Sequence, residues 1–475
     1  MTEQRVSIRL LVLETLLEAD RGGRPSHLLL GDVLDKYSWL PDRDRAFFKR
    51  LFEGTLEYRL QLDYVIRQFS SVPPGKMKPV IREILCLSVY QILYMDSVPD
   101  PAAVNEGVKL AVRKGFGSLR GFVNGVLRAV SRGKDRIKWP EPPGSAEFLS
   151  VRYSVPEWLT ERWISDYGPE KAEIICASFP EKQRITARVR TAGPADGGTE
   201  SQESTDSLVR APYLPEEACC FPDTGKVTEL PAFREGRMVI QDVSSMLAVR
   251  AADIHPGSRV LDLCAAPGGK SIYAADLCRG DGGSVTARDL TAFKCRLLEE
   301  NRERCRVDNM FIEQADAAVF RPEDEASFDV VLADLPCSGY GVIGRKPDIR
   351  YHASAQKERD LVQLQRKILR NAVRYVKPGG VLLYSTCTFH REENEGQAEW
   401  ICREYSGRDP GGSGDPGICL QLSDLRPFLP EPLRSEPTAE KGYLQLFPGV
   451  HECDGFFIAR FVRLPCSLTI QLSTH

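Results

Sequence analysis

From about residue 236 onward the sequence alternates short apolar runs with longer amphipathic stretches, and this rhythm leaves few folds open. The runs at 259–263, 284–288, 310–313, 329–333 and 381–384 have strand length, whereas 292–301 and 358–376 carry helical spacing. Short apolar strands separated by amphipathic helices imply a parallel sheet covered on both faces. A late run, 455–463, has no helix after it and suits an antiparallel addition at the sheet edge.

The first strand of this series leads into Cys264-Ala-Ala-Pro-Gly-Gly-Lys270. In open parallel sheets, ligands sit beyond the carboxyl ends of the strands. Glycines there let the backbone approach a ligand, and the helix start offers free N–H groups. The loop is neither a P-loop nor a dinucleotide fingerprint, which disfavours a pyrophosphate. Successive strands end in Asp289, Asp316 and Asp334. Acids at those places suit a ribose, an exocyclic amine and a cation, and S-adenosylmethionine carries all of these without phosphate. Aspartate also ends strands merely as a turn residue. Three in register with a glycine loop favour the ligand.

Two strands lead to cysteines, in Asp334-Leu-Pro-Cys337 and Ser385-Thr-Cys387, so both sulfurs emerge on one sheet edge. A methyl donor beside thiols points to a pyrimidine. Its C5 is too weak a nucleophile until a thiolate adds to C6. An acid near N3 then stabilises the adduct, and a base removes the C5 proton so that the thiol can leave. A helix start or a lysine, Lys270 or Lys346, would favour the thiolate. The target base must leave its stack to enter such a pocket. Two buried core cysteines are the plain alternative.

The remaining composition narrows the class. The 14 cysteines include no Cys-x-x-Cys pair and the six histidines are scattered, so no metal site is expected. No apolar run of membrane-spanning length occurs and the first twenty residues read as an amphipathic helix, so a cytoplasmic protein with free thiols is expected.

Residues 3 to about 132 read as a helical bundle, punctuated at Ser71-Val-Pro-Pro-Gly75 and Ser97-Val-Pro-Asp-Pro101. Lys138-Trp-Pro-Glu-Pro-Pro-Gly144 is a stiff connector, and residues 150–235 mix helical signals with a strand at 185–190. Two Gly- and Ser-rich stretches, 192–204 and 406–417, read as mobile loops. The net charge of −3 divides into +7 over residues 1–140 and −10 over the rest. Arg113, Lys114, Arg120, Arg128, Arg132, Lys134, Arg136 and Lys138 face only Asp135 and account for that +7. The cluster is either a solvated helix face or a grip on phosphates.

Taken together, these residues resemble the NOL1/NOP2/Sun family of RNA (cytosine-5) methyltransferases. The resemblance runs through Gly236-Arg-Met-Val-Ile-Gln-Asp-Val-Ser-Ser245, Asp262 to Lys270, Asp334 to Asp348, Tyr384-Ser-Thr-Cys-Thr388, Glu392-Glu-Asn394 and Asp454-Gly-Phe-Phe457. It implies that Cys387 is the nucleophile and Cys337 assists release. It implies that Cys264, Ala265, Ala266, Pro267, Gly268, Gly269, Lys270, Asp289, Asp316 and Asp334 hold S-adenosylmethionine. Asp334 would also serve the cytosine ring, and Lys270 and Lys346 would be active-site lysines. Asn105-Glu-Gly-Val108 and Phe122-Val-Asn-Gly-Val-Leu-Arg128 are similar to the NusB-like domain of the bacterial Sun/Fmu branch, which acts on 16S ribosomal RNA.

The fold expected is therefore multidomain. An all-α NusB-like bundle (1–137) precedes a linker and small α+β subdomain (138–235). A Rossmann-like methyltransferase domain with a mostly parallel sheet (236–467) and a tail (468–475) follow. The partner expected is 16S ribosomal RNA, with no membrane and no metal. Transfer RNA is the nearest competing substrate. A non-catalytic RNA-binding assembly factor would have lost a cysteine or the glycine loop, and a nucleotide-dependent oxidoreductase lacks its fingerprint.

Overall fold

The computed structural model describes residues 6–22, 24–181, 184–190, 209–221, 227–405 and 417–465. Residues 192–204 and 406–416, expected to be loops, lie outside the described residues. The chain forms two compact units, one of Met1–Glu181 with Ile343–His352 and one of Lys182–Val342 with Ala353–His475.

In the first unit the helices Ile8–Asp20, Ser26–Lys36, Asp42–Glu57, Arg59–Phe69, Pro79–Tyr94, Asp100–Arg113 and Arg120–Gly133 share one core. Pro79–Tyr94 runs through its middle, burying Ile81, Ile84, Leu85, Leu87, Val89 and Ile92 on several sides, as a helix apolar almost all round must. Its one buried carboxylate, Glu83, is paired with Arg59, which also meets Asp20 at 2.7 Å. Helices Ala146–Tyr153, Glu157–Tyr167 and Pro169–Ser178 complete this unit, whereas the sequence pattern grouped their residues with the strands that follow.

The segment Ile343–His352 is fastened into this first unit by hydrogen bonds. Helix Ser26–Lys36 follows Pro25, which has no side-chain acceptor to cap it. Asp348 supplies the cap, accepting from the Ser26 N–H at 3.0 Å and the Ser26 hydroxyl at 2.6 Å. Arg350, 1% exposed, donates to the carbonyl of Tyr153 at 2.7 Å, and the Tyr351 hydroxyl donates to that of Leu56 at 2.8 Å.

The second unit holds two sheets. The small one is antiparallel, ordered β2-β3-β1-β4, from β1 (Ile185–Val189), β2 (Val209–Arg210), β3 (Ala218–Phe221) and β4 (Met238–Ile240). The large one contains β5 (Arg259–Asp262), β6 (Ser284–Asp289), β7 (Met310–Gln314), β8 (Phe328–Asp334), β9 (Val376–Thr386), β10 (Leu420–Leu422), β11 (Tyr443–Leu446) and β12 (Phe456–Arg463). Its order is β10-β12-β9-β8-β5-β6-β7, with β11 also paired to β12. Strands β5 to β9 are parallel and β10 to β12 join antiparallel. The late strand expected at the edge is thus internal, because residues beyond 417 add β10 and β11 outside it. The same insertion buries Leu425, Leu429 and Leu433 in the core.

Both faces of the large sheet are covered, as its apolar strands require. Val260, Val330, Leu332 and Leu383 face helices Val243–Ala251 and Gly269–Cys278, while Leu261, Val331, Ala333 and Leu382 face helix Ala355–Tyr375. The order of the parallel strands reverses between β5 and β8, which opens a crevice at their carboxyl ends. Among the described residues, no helix is long and apolar enough to cross a membrane.

Candidate active site

The crevice between β5 and β8 is where the sequence concentrates its reactive side chains. After β5 the loop 263–268 is pinned to the end of β6: Ala265 N–H donates to the Arg288 carbonyl at 2.8 Å and Ala266 N–H to Asp289 Oδ2 at 3.1 Å. The Pro267 carbonyl accepts from Asn301 Nδ2 at 2.9 Å. Gly268 has φ +110°, a conformation that side-chain-bearing residues rarely adopt. Gly269 then opens helix Gly269–Cys278, and a Cβ there would stand 3.5 Å from the Gln241 side chain.

Asp289 is nearly closed off by its own contacts. Besides Ala266 it accepts from Leu290 N–H at 2.7 Å and lies 3.0 Å from Lys294 Nζ. Asp316 is exposed in the turn after β7, accepting from Ala318 N–H at 2.9 Å. Cys264 borders the loop. Burial, together with Asp262, Asp289 and Asp334, pushes its thiol well up, so it is no candidate thiolate.

Lys270 and Asp334 form one ion pair at 2.7 Å across the crevice, and Asp334 Oδ1 also accepts from the Ser385 hydroxyl at 2.9 Å. Burial pulls the Lys270 ammonium down, but Asp334, through charge and hydrogen bond, outweighs it with help from Asp262 and Cys387. Lys270 Nζ also sits 5.3 Å from the centre of the Phe456 ring.

The two sulfurs meet: Cys337 Sγ is 3.3 Å from Cys387 Sγ. Cys337 is pushed well up by its hydrogen bond to Cys387, then by burial and by the charges of Cys387, Glu393 and Asp334. The loops carrying the sulfurs are bonded to each other. Ser338 Oγ and Thr388 Oγ1 are 2.7 Å apart, and Gly341 N–H donates to the Cys387 carbonyl at 3.0 Å. Gly341 must be glycine, because a Cβ there would stand 1.8 Å from the Gly455 carbonyl oxygen. Lys346 belongs to the first unit, where burial, and then the charge of Lys346, oppose protonation of His27.

Ser385, Gln365 and Glu393 were not singled out from the sequence as site residues, although Glu392-Glu-Asn394 belonged to the resemblance. The one available signal was a polar residue inside an apolar pattern, as at Gln365 in helix Ala355–Tyr375.

The chain is 36% identical over 460 residues to the probable ribosomal RNA small subunit methyltransferase B of Bacillus subtilis, covering 96% of this chain and 98% of that one. The family model of the 16S rRNA methyltransferase RsmB/F matches residues 249–462. The chain belongs to the RsmB/F methyltransferase family. The NusB family model matches residues 6–132, as the resemblance implied for the N-terminal helices. The probable ribosomal RNA small subunit methyltransferase B of Synechocystis sp. is 31% identical over 461 residues, covering 96% of this chain and 99% of that one. The crystal structure of PH0851 matches with TM-score 0.75 at 25% identity, covering 96% of this chain and 98% of that one. As an RsmB/F member the chain is a methyltransferase, with S-adenosylmethionine as its cofactor.

The crevice fits that cofactor. Two buried acceptors beside the glycine loop, Asp262 Oδ1 and Gln241 Oε1, have no hydrogen-bond partner among the described residues. A ligand bearing N–H donors, such as the ammonium of S-adenosylmethionine, would satisfy them.

Proposed function

We propose that this RsmB/F member methylates C5 of a cytosine in 16S ribosomal RNA through a covalent adduct between Cys387 and C6. The observation that carries the reading is the 3.3 Å approach of Cys337 to Cys387 beside the Lys270–Asp334 pair. The family description and the names of the relatives support this choice of substrate. S-adenosylmethionine, held by the 264–270 loop with Asp289, Asp316 and Asp334, supplies an electrophilic methyl group.

The positions of the chain's own residues support a division of roles among them. The Cys387 thiolate adds to C6, and the electron pair moves through the ring, giving C5 the nucleophilicity that an intact pyrimidine lacks. Asp334, oriented by Lys270 and Ser385, accepts from the ring's amino group, and the Lys270 ammonium beside it offsets the negative charge that builds on the ring in the adduct. Once Cys387 is a thioether, two causes that keep Cys337 protonated, the hydrogen bond to Cys387 and its charge, are gone. Cys337, when ionised, takes the C5 proton. The C5–H electron pair restores the ring double bond and the C6–S bond breaks toward Cys387.

The helical unit would hold RNA phosphates. Arg113, Arg120, Arg128, Arg132, Arg136 and Lys138 are exposed, and among the described residues they form no ion pair. Lys134 and Lys114 are instead engaged by Asp100 at 3.1 Å and Glu14 at 3.2 Å. Incubating the protein with methyl-labelled S-adenosylmethionine and 16S transcripts tests the reading. Label is expected on cytosine C5, and its absence from every 16S cytosine would overturn it.

A further inference from the structure

Cys337 lies in an irregular segment after β8, so a regular ladder cannot hold it, yet the peptides on either side of it are held. The carbonyl of Pro336 accepts from Gln365 Nε2 at 2.9 Å, and Ser338 N–H donates to Glu393 Oε2 at 2.9 Å. The two side chains are joined, because Gln365 Nε2 also donates to Glu393 Oε2 at 2.9 Å.

This assembly is dry. Gln365, Glu393 and Gln397 are each 0% exposed. Gln397 Nε2 donates to Gln365 Oε1 at 3.0 Å and to the Val362 carbonyl at 3.0 Å, which fixes the Gln365 amide. His390 Nδ1 lies 3.1 Å from Glu393 Oε1, and the Tyr384 hydroxyl donates to the Glu393 carbonyl. Burying a carboxylate and two amides is costly unless each is satisfied and the geometry rigid. A hydrophobic filler would pack here more cheaply. What the polar version adds is a hold on both peptides flanking a single sulfur.

We propose that Gln365 and Glu393 are positioning residues that orient Cys337 for product release. This rests on the reading of Cys337 as the release group. The two residues act through the main chain and touch neither substrate nor cofactor. Loss of either lets the 336–338 peptides rotate, so the Cys337 sulfur misses the C5 proton while Cys387, on its own strand end, still forms the adduct.

The test compares Glu393→Ala, Glu393→Gln and Gln365→Leu with wild type in full-length protein, using 16S transcript and S-adenosylmethionine. Turnover is expected to fall at least about tenfold in Glu393→Ala and Gln365→Leu, while the KM for S-adenosylmethionine stays within about twofold, the split expected when a step after binding is lost. Both should accumulate a protein–RNA species stable in denaturing gels. Glu393→Gln, which keeps an acceptor for Ser338 N–H, should recover most turnover. Unchanged turnover, or a fall without accumulated adduct, overturns the proposal. Should Glu393→Ala fail to fold, Gln365→Leu alone decides. Cys337→Ala is the control: if it traps no adduct, the release role of Cys337 falls and the proposal with it. If it traps and the others do not, only the positioning role fails.

Discussion

Cys337 Sγ and Cys387 Sγ lie 3.3 Å apart although fifty residues separate them in sequence. Neighbouring parallel strands bring them together. β8 and β9 pair in a register that sets Asp334 opposite Ser385, and each chain then runs on to its cysteine. In the function proposed above the two sulfurs divide the roles, Cys387 adding to the ring and Cys337 assisting release.

That division predicts opposite outcomes for the two alanine variants. Cys387→Ala should lower turnover by roughly 10⁴-fold, the scale of losing a covalent nucleophile, with no adduct formed. Cys337→Ala should form the adduct and stall, leaving a protein–RNA band that survives denaturant. Gel analysis with labelled RNA checks both, and the reverse pattern would exchange the two assignments.

The sheet was legible because its signal is local. The expected strand at 259–263 is β5, and 381–384 lies inside β9. The sulfur pair was legible for the same reason, as both cysteines follow strands of one sheet. Gln365 and Glu393 were not, because a buried polar residue reveals itself only through partners distant in sequence. Gln365 is 29 residues from Pro336, and Glu393 is 55 from Ser338. Lys346 lies in a segment whose packing was not legible. Its motif is continuous with that of Cys337, but packing assigns 343–352 to the helical unit.

That assignment carries its own prediction. Asp348 accepts two hydrogen bonds from Ser26 at the start of helix Ser26–Lys36, where a carboxylate also meets the positive end of the helix dipole. Asp348→Ala should cost the first unit about 1–2 kcal/mol, the range for a missing N-cap. Hydrogen exchange should quicken in the first turn of that helix and not in Asp42–Glu57. Equal protection in variant and wild type would remove the cap from the account.

The exposed arginines of the helical unit make a salt-dependent prediction. Neutralising Arg128, Arg132 and Arg136 should weaken RNA binding and flatten its dependence on salt, by about 0.7–0.9 in the logarithmic slope for each phosphate that is no longer neutralised. Lys134 should matter less, since Asp100 already occupies it. Filter binding across a salt series checks this, and an unchanged slope would show that this face does not hold the RNA.

Asp262 gives a prediction in pH. Burial pushes its carboxyl up to about 6, against help from Ser271, whose hydroxyl donates to Oδ2 at 2.6 Å. The folded state therefore binds a proton that the unfolded chain has already released between about pH 4 and 6. The stability this contributes is fully present below about pH 4 and is lost as pH rises through about 6. For a group so buried the loss amounts to about 3 kcal/mol, near 1.4 kcal/mol for each pH unit between the two pKa values. Asp262→Asn carries no such proton, so its stability relative to wild type should rise by that amount between pH 4 and 7. In melting temperature of the second unit this is about 6–12 °C. Parallel melting curves for variant and wild type across that range would mean that the Asp262 carboxylate is not desolvated by the fold.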